Sequence, residues 1–205
     1  MSSAAFPAPP QFADPLPPWA SPEVVRFLAR RRSTSAMTLV APGPDEAETN
    51  GLLRLAARAP DHGKLAPWRF IVLRDRAKAV FVERLAVIAA SRPDGVKLTA
   101  KLAKLRAPPL TVAVISRHTP GEIPEWEQRL SVGAVCTLLI LAAAARGWGA
   151  NWITDWYAYD AEATALLPLA SGEKVAGFIH LGTPAEPPLE RPRPDVEPLV
   201  ALWRG

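Results

Sequence analysis

The chain has 205 residues, is 49% hydrophobic, carries a formal net charge of +4 and has a pI near 9.6. That is enough material for one domain with a real core. The single Cys136 excludes an intrachain disulfide, and three histidines far apart in sequence give no metal-ligand spacing. The basic residues are scattered rather than blocked, so no stripe for nucleic acid is written here, and an anionic small ligand accounts for the excess charge equally well. A reducing, cytoplasmic setting fits this composition. The start, Met1 to Pro7, lacks the basic and apolar regions of a signal peptide.

Residues 1–20 are rich in proline and alanine without a period and read as a flexible arm or a strap, with residues 21–205 as a single domain. Ser21-Pro22-Glu23 predicts a helix start: serine as N-cap, proline where its missing N–H costs nothing, glutamate against the positive helix end. Val24, Phe27 and Leu28 form the apolar stripe, and Arg30-Arg31-Arg32-Ser33-Thr34-Ser35 follows. Three arginines at a helix end complement its dipole; with the hydroxyls beside them they also make a candidate phosphate clamp. Pro44-Asp45-Glu46-Ala47-Glu48 predicts a second helix start, with Asp45 and Glu48 at capping distance. That helix must stop before Pro60, because the residue preceding a proline is pushed out of the helical region.

A polar turn with Asp61, His62, Gly63 and Lys64 comes next, and Trp68 to Leu73 reads as a strand. This basic loop between helix end and strand start is well placed to grip an anionic cofactor. Ala77 to Ala90 is predicted helical, with Phe81, Leu85 and Ile88 on one face. Residues 96–105 continue as an amphipathic segment, and Leu110 to Ile115 suits an interior strand. The helix from Pro124 to Arg146-Gly147 contains the longest uncharged stretch, Leu130 to Ala145, 16 residues against the roughly 20 that span a bilayer. It reads as a buried helix rather than a membrane span. Being apolar almost all round, it needs more cover than one small domain supplies, and a subunit interface follows. Gly149 to Thr154 is a further strand, Asp160 to Leu167 a short helix and Val175 to Leu181 a last strand. The tail, 184–205, is an extended arm in which only Leu199 to Trp203 is expected to be ordered by packing.

Most catalytic signatures are missing: no Gly-x-Ser-x-Gly, no Walker loop and no strand-linked G-x-G-x-x-G. Cys136 lies midway along an apolar helix and reads as a core thiol, while His118 and His180 read as structural. An enzyme built this way needs a cofactor to carry its reaction.

The order of short motifs is more telling. Arg31-Arg32-Ser33, Arg58-Ala59-Pro60-Asp61-His62, Pro67-Trp68-Arg69-Phe70, Arg106-Ala107-Pro108, Trp126-Glu127-Gln128, Gly147-Trp148-Gly149, Trp152 and Gly177-Phe178-Ile179-His180-Leu181-Gly182-Thr183-Pro184 occur in sequence. Each alone is weak; the ordered set resembles the nitroreductase family of FMN flavoproteins, in particular its short bacterial NAD(P)H nitroreductase branch, from about Glu23 to Leu202.

The resemblance implies an α+β three-layer sandwich, a mixed central sheet flanked by helices, in an intertwined homodimer with FMN at the subunit interface. It implies that Arg31, Arg32 and Ser33 hold the FMN phosphate and ribityl end. Arg58 and His62 would reach the flavin from the partner subunit, and Trp152, Ile153 and Thr154 would line it. Ala142 to Gly147 matches the region where this branch meets its nicotinamide cofactor. The implied activity is hydride transfer from NADH or NADPH through flavin N5 to an electron-poor small-molecule acceptor, a nitroaromatic or quinone, by a ping-pong mechanism. The alternative is a protein of the same fold that stores or senses FMN without turnover. Neither reading involves nucleic acid or a membrane. Two departures stand out: Ser35 replaces an arginine common in the family, and Lys64-Leu65-Ala66-Pro67-Trp68 replaces Asn-x-Gln-Pro-Trp. Lys64 then takes over from the lost amides at the flavin's polar edge, where its charge would raise the redox potential.

Overall fold

A computed structural model describes residues 5–205. Helix α1 (Pro22–Arg30) begins as its sequence dictates, with Ser21 Oγ accepting the Val24 amide at 3.4 Å. None of its residues is buried, so its apolar stripe is uncovered in the single chain. A two-residue strand, β1 (Leu39–Val40), follows; it is too short to leave a pattern in sequence. Helix α2 (Glu46–Ala56) is capped by Asp45, whose Oδ1 accepts the Glu48 amide at 2.8 Å. Then come β2 (Trp68–Arg74), α3 (Asp75–Ala90), α4 (Gly95–Lys101), α5 (Ala103–Arg106) and β3 (Leu110–Ser116). The predicted amphipathic segment 96–105 is thus two short helices with a break at Leu102. Helix α6 (Glu125–Ala145), β4 (Gly149–Ile153), α7 (Ala161–Thr164) and β5 (Lys174–Pro184) complete the regular elements.

The five strands form one sheet with β5 at its centre: β3 and β4 both pair with it, β2 lies outside β3, and β1 pairs with its last residues. Every pairing within the described chain is antiparallel. β5 runs past the predicted end because Thr183 donates to Pro42 O at 3.1 Å and Ala185 to Thr38 O at 2.9 Å. Alternation along the inner strands feeds two cores. Leu110, Val112, Val114, Ile179 and Leu181 point to the side covered by α2 and α6. Ala113, Ile115, Val175 and Phe178 point to the side covered by α3, α5 and α7. Strands buried on both faces read as continuous apolar runs, and the result is the expected α+β sandwich of three layers.

Helix α6 is long and apolar enough, by composition, to cross a membrane, yet half of its apolar window is buried inside the protein. Val132, Val135, Cys136 and Leu139 face the core, whereas Trp126 and Leu130 are 68% and 55% exposed. Burial pushes the Cys136 thiol up to about 12, as befits a core thiol. At the chain's end the tail disappoints the sequence reading: it makes a single 3-10 turn, Glu197–Leu199, and Leu199 to Trp203 are exposed in the single chain. Residues 1–4 of the predicted arm lie outside the described residues, but Phe6 is docked, its ring against Gly51 of α2 and 4.7 Å beneath the Arg146 guanidinium.

An ion pair and a buried histidine add polar links between the strands and the segments around them. Arg69 on β2 grips Glu173 through Nε at 2.7 Å and Nη2 at 2.5 Å, and this guanidinium holds the Glu173 carboxyl down to about 2. His180 on β5 is fully buried, its Nδ1 sharing a 2.9 Å hydrogen bond with Thr111 Oγ1 across the β3–β5 ladder. Desolvation, with the charge of the buried Lys78 adding to it, lowers the imidazole to about 3 from 6.5. The folded state therefore holds the ring neutral, and its contribution is complete above pH 6.5 and drains as the pH falls toward 3. Chemical denaturation from pH 6.5 down to 5 should show stability falling progressively more steeply, toward a limiting slope of about 1.4 kcal/mol per pH unit. A His180→Gln variant should show a correspondingly flatter slope.

Candidate functional site

The arginine corner begins where α1 ends. Arg31 leaves the helix with an extended ψ of 128°, so the next residues run as an open strand beside β4. Two hydrogen bonds fix that run: the Thr34 amide donates to Ala150 O at 2.9 Å, and Asn151 Nδ2 donates to Thr34 O at 2.6 Å. Ser33 is thereby held at a set height next to Trp152.

Arg31, Ser33 and Trp152 line one cleft of about 380 Å3, together with Thr137 and Ile140 of α6 and Asn151 of β4. Within it Arg31 Nη1 lies 3.5 Å from Ser33 Oγ, and no carboxylate partners this guanidinium among the described residues. Arg31 also lines a neighbouring cleft of about 500 Å3 with Glu23, Arg26, Phe27, Arg30, Arg32, Ala144 and Pro188. Arg32 faces the C-terminal segment instead, donating from Nε to Leu189 O at 2.8 Å and lying 3.5 Å from Glu190. So the two clefts meet at Arg31, one walled by an indole, an isoleucine, two hydroxyls and an amide, the other by four arginines with Glu23 and Phe27 among them. A ligand with a flat ring system at one end and a phosphate at the other matches that division.

Trp152 is held over β5 for a backbone reason. Its Nε1 donates to Ala176 O at 3.3 Å, and a Cβ at Gly177 would lie 1.9 Å from that same nitrogen. Only glycine lets the indole lie so close to the strand. Ile153 and Thr154 follow in the chain but do not line this cleft.

The other predicted residues lie apart from it. Arg58 is exposed just beyond the end of α2, and His62, Gly63 and Lys64 form a 3-10 turn before β2. His62 Nδ1 lies 2.7 Å from Glu127 Oε2 at the start of α6. Gly63 has φ 75° and Lys64 φ 55°, a left-handed turn whose geometry the Asp61 carboxylate secures by accepting the Ala66 amide at 2.7 Å. Within one chain, Arg58, His62 and Lys64 do not join Arg31 and Ser33. The lining residues that sequence reading missed are Thr137, Ile140 and Asn151. Asn151 left a signal, a lone amide in a strand of glycine and apolar residues; Thr137 and Ile140 were indistinguishable from core positions of α6. Among the aromatic residues after α6, Tyr157 is core, packed edge-on at 4.9 Å against Phe178, while Trp152 is in the cleft.

Known proteins resemble this chain in sequence and in fold. Residues 28–183 match the model of the nitroreductase family. A protein of Escherichia coli K12 named "Putative NAD(P)H nitroreductase YdjA" is 31% identical over 166 residues, which cover 79% of this chain and 88% of that protein. Among solved structures, a nitroreductase-like family protein from Bacillus cereus superposes with a TM-score of 0.78 at 20% identity, covering 93% of this chain and all 100% of that one. A nitroreductase with bound FMN from Bacteroides fragilis superposes with a TM-score of 0.68, also at 20% identity, covering 90% of this chain and 100% of the other.

The close approach of Trp152 to β5 is testable on the protein alone. Gly177→Ala should displace the indole and change the near-ultraviolet circular dichroism, at a cost of about 1–3 kcal/mol in stability. The spectral difference should vanish when the same change is made in a Trp152→Phe background.

Proposed function

Because this chain belongs to the nitroreductase family, we propose that it is an FMN-dependent oxidoreductase that passes reducing equivalents from NADH or NADPH to an electron-poor small molecule. The observation that carries this reading is the meeting of two clefts at Arg31, the one offering an indole and hydroxyls, the other a set of guanidiniums. Bound FMN supplies hydride acceptance and donation at N5, in the ping-pong order expected when donor and acceptor use the same face in turn. Relatives and neighbours whose names state NAD(P)H and FMN support the choice of cofactors.

The residues of this chain have holding and shaping to do. Arg31 and Ser33 take the phosphate and ribityl end, with charge-assisted hydrogen bonds that also fix the orientation of the ring. Arg32 joins them once its contact with Leu189 and Glu190 is exchanged for the ligand. Trp152 borders the ring from β4, while Ile153 and Thr154 lie outside this cleft in the single chain. Arg58, His62 and Lys64, remote from Arg31 in one chain, fit the site when a second chain supplies them. Lys64 then places a positive charge where the flavin's polar edge gathers negative charge.

A homodimer follows from the same reading. The exposed Trp126 and Leu130 of α6, the uncovered stripe of α1 and the apolar tail with Leu199 and Trp203 are three surfaces that one chain leaves to water. Joining copies covers them and builds the cleft from both sides.

The purified protein should be yellow, or become so with added FMN, and should oxidise NADH or NADPH steadily when a nitroaromatic or quinone is present. Arg31→Gln should weaken FMN binding at least about tenfold, the loss of one charge-assisted contact to phosphate. Light scattering should give twice the chain mass. A colourless protein that refuses FMN and runs as a single chain would remove this proposal.

A further inference from the structure

The segment before α1 lies outside the matched family region, 28–183, yet it is docked on the domain by a specific device. Gly51 sits inside α2, where glycine is a poorer helix former than alanine. Any Cβ there would come within 2.3 Å of the Phe6 ring, so the glycine leaves the notch in which that ring lies. Arg146 closes the notch from above, its guanidinium 4.7 Å from the ring centroid, a cation–π distance. Arg146 is itself held by Glu48, Nε to Oε1 at 3.0 Å.

Docking Phe6 leaves a cleft of about 410 Å3 between the segment and α2. Its walls are apolar and aromatic: Phe6, Leu16, Trp19 and Leu55, with prolines of the segment. The polar edge consists of Arg54 and Arg58, and among the described residues no acidic side chain lines the cleft. Arg54 lies in the last turn of α2 and Arg58 just beyond its end, and both line the same cleft. Neither guanidinium has a hydrogen-bond or carboxylate partner among the described residues. A cleft of this size with apolar and aromatic side chains on its walls and two unpaired cations on its rim selects by shape and charge together.

We propose that this cleft binds a flat aromatic anion, an aromatic carboxylate or sulfonate, with its ring against the Phe6–Trp19 wall and its charge on Arg54 and Arg58. Arg58 is shared with the flavin site proposed above, so the anion's charged end borders that site. The binding itself needs neither flavin nor turnover.

The dye 8-anilinonaphthalene-1-sulfonate is a suitable probe for the full-length protein. Its fluorescence should rise saturably at one site per chain. Arg54→Gln and Trp19→Ala should each weaken that binding at least about fivefold. Gly51→Ala should unseat Phe6 and weaken the dye while leaving the melting temperature unchanged or higher, since alanine is the better helix former. The uncharged analogue N-phenyl-1-naphthylamine should bind at least about tenfold more weakly than the sulfonate, the worth of a charged contact. Unchanged affinity in both Arg54→Gln and Trp19→Ala, or equal affinity for the uncharged analogue, would overturn the proposal. So would displacement of the dye by FMN with both variants unaffected, which puts it in the flavin cleft. Absence of a saturable site, as when an apolar segment of a second copy fills the cleft, overturns it as well. The dye titration is independent of colour and turnover, so failure of the flavin reading and failure of this one are separately visible.

Discussion

The backbone bond between Thr34 and Ala150 is the constraint on which the arginine corner depends. It docks the segment after α1 to β4, and Asn151 repeats the grip from its side chain onto Thr34 O. Without that pairing, Arg31 and Ser33 would sit on a free loop and Trp152 on a strand held by β5 alone. Side chains placed by paired backbone lose less entropy on binding than side chains on a loop, because most of the ordering happened on folding. β4 is in turn positioned by β5, whose glycine at 177 accepts the indole. The order of dependence runs from the central strand outward to the cleft.

A second theme is incompleteness. The two cores on either side of the sheet are closed by the chain itself, with Val112, Val114 and Ile179 on one side and Ala113, Ile115 and Phe178 on the other. The outer surfaces are not closed in the same way. α1 buries nothing, α6 shows apolar side chains on its far side, and the tail has little to pack on. Exposed apolar surface of this extent on elements contiguous with a candidate site is the usual sign of an interface. The N-terminal segment is a contrasting case, because Phe6 finds its own notch in α2 within the same chain.

Much of the framework was legible in the sequence because the relevant forces are local. Ser21 and Asp45 announced two helix starts by capping chemistry, and both accept the amides that their spacing foretold. β3 was legible from its unbroken apolar run. Other features depend on distant partners and left little trace. β1 has two residues and exists because β5 extends to meet it. The tail was expected to order by packing, yet a single chain offers no surface for Leu199 to Trp203. In the cleft, Arg31, Ser33 and Trp152 were foreseen, but Thr137 and Ile140 were not, since a periodic apolar helix does not say which of its positions border a cavity. Arg58, His62 and Lys64 were foreseen as a group and lie together near the α2–β2 turn, at a distance from Arg31 that no sequence spacing reveals.

The lone cysteine carries a consequence for durability. Quinones and the products of partial nitro reduction are electrophiles that alkylate accessible thiolates. Cys136 is fully buried and its proton is held up to about 12, so it offers such compounds neither access nor a thiolate. A catalyst of that chemistry built on this chain would have no sulfhydryl for its own reactants to poison. Any cysteine introduced on its surface would be the one site a maleimide reagent could label.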